Sequence, residues 1–178
     1  MKFKIILLLL FIPLFGRDIY FTRSGEVSFF SSTPIYDISA VNNQMTCVLD
    51  LETGSVSFRI PILGFNFPNG LMQEHFNENY MESDIYPNAS FKGKINDWNK
   101  LKLSANPQEV TLNGTMTIHG VSKQILEKGK ISMENNDVIG SSNFLIKVAD
   151  YNVKIPKLVR DKIAKTVSVD TDLILKKK

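Results

Sequence analysis

Two histidines, His75 and His119, and one cysteine, Cys47, are the side chains best suited to acid–base, nucleophilic or metal chemistry in this chain. His75-x-x-Glu78 has a spacing that brings both side chains to one helical face, as two metal ligands would need. A bound metal takes three or four ligands, however, and neither an HExxH sequence nor a second histidine cluster supplies the rest. His119 precedes Gly120 and reads as the end of a hairpin. Cys47 has no partner for an internal disulfide, and in the strand-like run 45–51 it reads as a small buried hydrophobe. Serines and threonines are scattered over strand-like runs, without the strand–elbow–helix that presents a nucleophilic serine. These patterns lead to the expectation of no catalytic residue, no metal site and no cofactor.

The apolar side chains carry a different chemistry, the burial of a hydrophobic partner. Val56, Phe58 and Ile60 alternate on one face of a strand, and Phe65 and Phe67 close the run that leads into a helix. Met72, Phe76 and Tyr80 recur at i, i+4 and i+8, so one helical face carries all three. Phe91 follows on the next strand. Phe144, Ile146 and Val148 alternate later, and Tyr151, Val153 and Ile155 continue that pattern. Such a set fills a solid core or lines an adaptable pocket for a flexible tail, and the pattern alone leaves both readings open.

The elements that must position these residues are mostly strands. Candidate runs are 18–23, 26–33, 44–51, 55–67, 89–98, 109–118, 122–134, 138–149 and 165–176. Turn signals stand at Asn42-Asn43, Thr53-Gly54, Asn106-Pro107, His119-Gly120 and Asn135-Asn136-Asp137. Gly114 is read as a bulge or close-packing glycine inside a long strand. Helical pieces are expected at 70–81 and about 157–164. Many antiparallel strands without a βαβ rhythm predict an all-β fold, a sandwich or a closed barrel. Lys, Asp, Glu and Ser on the outward faces argue against a barrel that spans a membrane.

Residues 1–16 begin with Lys2 and Lys4 and continue as an apolar run to Phe15, which is short for a bilayer span and reads as a secretory signal peptide. Its removal leaves 162 residues with 19 basic and 18 acidic side chains. The remaining domain, 17–178, is large enough for one core and nearly neutral, so nothing in it calls for nucleic acid. The cluster Lys176-Lys177-Lys178 reads as a solvated terminus.

Three segments resemble the YceI-like family of secreted lipid-binding proteins: GLMQEHFNENYMESDIYPNASF (70–91), TMTIHGVSK (115–123) and FLIKVADYNVKIP (144–156). The resemblance implies a single antiparallel lipocalin-like β-barrel of about eight strands, closed by one or two short helices. It also implies a periplasmic or secreted binding protein that sequesters or carries a long-chain amphiphile such as an isoprenoid, quinone or fatty-acyl lipid. The hydrophobic small molecule would be its partner, and the cleaved protein would not be integral to a membrane; a homodimer stays open. On that basis the pocket wall is expected to contain Phe58, Phe65, Phe67, Met72, Phe76, Tyr80, Phe91, Phe144, Ile146 and Tyr151. The region 28–38 lacks the histidine that many members carry near the pocket mouth, so a diphosphate head group does not follow. The alternatives are a hydrolase or isomerase acting on a lipid-like substrate in the same cavity, and a ligand-free envelope stress protein.

Overall fold

Period-two alternation becomes eight strands, and each pairs with the next. The computed structural model describes residues 17–178, so the expected signal peptide at 1–16 lies outside the described residues. The strands are β1 (Ile19–Ser32), β2 (Asp37–Asp50), β3 (Ser55–Pro61), β4 (Asn88–Ile95), β5 (Gln108–Ile118), β6 (Val121–Glu134), β7 (Asp137–Lys147) and β8 (Thr166–Lys177). All neighbours are antiparallel, and β8 returns to β1 to close the barrel. Closure joins every strand to two neighbours, although β6 and β7 pair only from Lys130–Ser141 to Glu134–Asp137 and part beyond that point. Inward residues such as Val169, Leu173 and Leu175 are buried, while Asp170 and Asp172 between them are exposed. Among the described residues no helix is long and apolar enough to cross a membrane.

Several boundaries differ from the sequence pattern. The runs 18–23 and 26–33 form one strand, β1, whose register against β2 slips between Thr22 and Gly25 and again between Gly25 and Val27. Asn42-Asn43, expected as a turn, lies inside β2 opposite this irregularity. The buried Asn42 uses its own amide there: Nδ2–H donates to the Pro61 carbonyl (2.7 Å), and Oδ1 accepts from the Gln44 N–H (2.7 Å). Turn-forming chemistry thus supports a bulge rather than a chain reversal. The run 55–67 stops at Pro61, becomes a 3₁₀ turn at Ile62–Gly64, and rejoins β2 through a bridge between Asn66 and Val41. The helix expected near 157–164 is a 3₁₀ segment, Lys157–Lys162.

Other turns form as their residue types require. His119 (φ 49°) and Gly120 (φ 73°) are both left-handed, as are Asn135 (52°) and Asn136 (67°), which is the backbone of tight two-residue hairpins. Gly114 sits within β5 opposite Gly93 of β4, and a Cβ there would run into the Lys92 carbonyl.

The connections β1–β2, β3–β4, β5–β6 and β7–β8 all lie at one end of such an up-and-down barrel. The opposite end is sealed by the 3₁₀ turn Trp98–Lys100, whose Trp98 indole N–H donates to the Leu51 carbonyl (2.6 Å). Cys47, Leu49, Val138 and Leu175 fill the interior towards that sealed end.

Candidate functional site

The other half of the barrel encloses a cavity of about 340 Å³, at the lower end of the range typical of small-molecule pockets. Its cover is built by the β3–β4 connection. Asn69 caps a short helix, α1 (Gly70–His75), by accepting the Leu71 N–H at 2.9 Å and the Met72 N–H at 3.3 Å. The helix then changes its hydrogen-bond register to a π turn over Phe76–Tyr80, with the Met81 N–H donating to the Phe76 carbonyl (2.9 Å). Met72, Phe76 and Tyr80 all face the cavity, as their spacing predicts. The wider turn also brings Met81 inward beside Tyr80, which a uniform α-helix would not do.

Phe76 is the centre of an aromatic cluster that ties this cover to the wall. Its ring centroid lies 5.5 Å from Phe29 of β1, 5.5 Å from Phe65 and 5.0 Å from Phe67. Such contacts add to the burial term of each ring. Deeper in, Phe58 of β3 and Phe91 of β4 are a cross-strand pair, stacked at 5.5 Å. Phe144 and Ile146 of β7 line the opposite wall, and Tyr151 closes it from the 3₁₀ turn Val148–Tyr151. Burial holds the Tyr151 phenol above its ordinary range, reinforced by the charges of Asp150 and Glu127.

All ten residues named from the sequence therefore line the same cavity. Others that went unnamed join them. Tyr36, Met116 and Val167 supply more apolar surface, and Glu127, Ser142 and Thr171 supply polar groups. Glu127 is partly buried, and that burial raises its carboxyl above the ordinary glutamate value of 4.5.

The residues with chemical potential lie elsewhere. His75 is exposed at the cavity rim, and Glu78, three residues on, is exposed but does not line the cavity. Among the described residues no group of three His, Cys, Asp or Glu side chains is placed to hold a metal. His119 is buried at the β5–β6 turn but does not line the cavity. Its Nδ1–H donates to the Tyr151 carbonyl (3.2 Å), Nε2 pairs with Glu82 Oε2 (2.7 Å), and the Tyr86 ring packs against it edge-on at 4.6 Å. Glu82 is 37 positions away in sequence, so no local spacing announces this partner. Cys47 is wholly buried, and burial pushes its thiol up to about 12, which keeps it protonated and unreactive.

Comparison with known proteins agrees with this architecture. A family model described as a YceI-like domain matches residues 22–175. No curated protein matches the chain. Among solved structures, a polyisoprenoid-binding domain from Saccharophagus degradans, implicated in plant cell wall breakdown, superposes with a TM-score of 0.79 at 17% identity. It covers 92% of this chain and 100% of its own. BcnA from Burkholderia cenocepacia gives 0.71 at 16% identity, covering 84% and 95% respectively. A YCEI protein from Campylobacter jejuni gives 0.55 at 16% identity, covering 99% and 92%.

Proposed function

The chain belongs to the YceI-like domain family, and we propose that it is an exported, periplasmic or secreted protein that sequesters or carries a long-chain amphiphile inside its barrel. An isoprenoid, quinone or fatty-acyl lipid has the required shape. The observation that carries this reading is the cavity itself: about 340 Å³, walled by Phe, Met, Ile and Val and opening beside α1. Burying a tail there gains about 0.8 kcal/mol per methylene, so a modest pocket can hold a lipid with few polar contacts. The polyisoprenoid-binding description of the Saccharophagus degradans domain points the same way.

A hydrolase or isomerase in the same cavity would need an activated nucleophile or a coupled acid–base pair. Glu127 has the raised carboxyl such a mechanism uses, yet the Ser142 hydroxyl hydrogen-bonds Thr171 rather than a base. His119 is held outside the cavity by Glu82 and Tyr151. Binding without covalent chemistry is the better-supported function.

The test is displacement of a neutral, polarity-sensitive lipid probe by alcohols of increasing chain length. Affinity is expected to rise about fourfold per methylene and then level off once the cavity is filled. Absence of any chain-length dependence would contradict the proposal.

A further inference from the structure

The cavity wall is apolar almost everywhere, but its deepest residues on three consecutive strands are polar. Counting from the open end, the last wall residue is Glu127 on β6, Ser142 on β7 and Thr171 on β8. On the other strands that place is taken by apolar side chains, such as Val27 on β1, Met45 on β2 and Leu112 on β5. The three polar groups stand on adjacent strands. Ser142 and Thr171 are directly paired across β7 and β8, and their hydroxyl oxygens are 2.8 Å apart. Glu127 lies two residues along β6 from Gly129, where a Cβ would meet the Ser142 Cβ at 3.5 Å. Glu127 therefore stands one two-residue repeat, about 7 Å along the strand, nearer the mouth than the level of the hydroxyl pair.

We propose that Glu127, Ser142 and Thr171 form a head-group subsite on the cavity floor, which takes the neutral, hydrogen-bond-donating end of an amphiphile such as an alcohol. The inference rests on the binding function proposed above and adds the orientation and the class of ligand: head down, tail towards the mouth.

The chemistry of the three groups selects that class. An ionised carboxylate only accepts hydrogen bonds, and among the described residues Glu127 has no cation within ion-pair distance. The hydroxyl pair uses one hydrogen between its own oxygens, which leaves one O–H and free lone pairs to face the cavity. A ligand hydroxyl satisfies both sides, donating to Glu127 and accepting from Ser142 or Thr171. A diphosphate or carboxylate head would set a second negative charge beside Glu127 in apolar surroundings. A head that only accepts would leave Glu127 unpaired. Lys162, the lysine on the cavity wall, is exposed at the rim, where an anionic head would sit instead. The upward shift of the Glu127 carboxyl is consistent with a group that lacks a partner until such a head arrives.

The test uses the delipidated full chain and three probes with the same tail: a long-chain prenyl alcohol, its diphosphate, and the hydrocarbon without a head. Each competes with a neutral fluorescent lipid for wild type, Glu127→Gln and Glu127→Leu. The alcohol is expected to bind wild type at least about tenfold tighter than either other probe. Glu127→Leu should remove the advantage over the hydrocarbon while still binding it, and Glu127→Gln, whose amide also donates, should narrow the gap to the diphosphate. Thermal melting separates these effects from misfolding, and the isosteric glutamine keeps the test open if the leucine variant fails to fold. Tightest binding of the diphosphate, or an unchanged order in both variants, would overturn the subsite and leave the carrier function standing. Failure of all three probes to compete would overturn both.

Discussion

Glu127 is the acidic side chain among the described residues of the cavity wall, and its raised carboxyl makes a statement about stability. In the unfolded chain it titrates near the ordinary 4.5; in the folded barrel it holds its proton to higher pH. Between those two values the folded state binds more protons than the unfolded one, so stability falls as pH rises through that window, and the loss persists at neutral pH. Glu127→Gln is therefore expected to raise Tm at pH 7 by a small amount, on the order of 2 °C, and the gain should vanish near pH 4. Equal gains at both pH values, measured by thermal melting, would show that the carboxyl is not disfavoured by burial. This residue was not legible in the sequence. The stretch Ile125-Leu126-Glu127 places an apolar and an acidic side chain on successive, opposite faces, and hydropathy favours the wrong one. The register set by the His119-Gly120 turn decides the parity: Leu126 points out and is 63% exposed, and Glu127 points in.

At the scale of elements, the cover over the cavity is α1 with its π turn, held from two sides. Phe76 binds it to the wall through Phe29, Phe65 and Phe67, and Glu82, just beyond it, pairs with His119. Phe76→Asp places a charge in the middle of that cluster, where an unpaired ion is costly. Its expected effect is loss of lipid retention by at least about a hundredfold, equivalent to roughly 3 kcal/mol, with the barrel's circular dichroism unchanged. Unchanged retention would mean that this segment is only a plug. The face shared by Met72, Phe76 and Tyr80 could be read from spacing, because α and π turns both keep these three towards the same side. The π turn itself could not, since a change of hydrogen-bond register leaves no mark in periodicity. Asn42-Asn43 shows the complementary error: the same side-chain hydrogen bonds that make turns also stabilise a bulge inside a strand, and only the partner strand distinguishes them.

At the scale of the molecule, the barrel divides along its axis into a packed half and a cavity half. Trp98, Leu49 and Val138 belong to the first, and the ten aromatic and aliphatic residues recognised from the sequence line the second. Strand alternation was enough to predict an antiparallel all-β fold, because polar and apolar residues alternate on β3 and β8, but it left a sandwich and a closed barrel open, and the family resemblance implied the barrel. It was not enough to separate a filled interior from a pocket. That difference depends on how far side chains from eight strands reach towards one another, which no single strand records. The central claim is that this interior holds a lipid. Native mass spectrometry of the protein purified from its own cells, followed by organic extraction, tests it most directly. The account predicts a mass above that of the mature chain, which collapses to the bare protein on extraction and releases an amphiphile with a long apolar tail. A bare mass before extraction, with no lipid recovered, would contradict it.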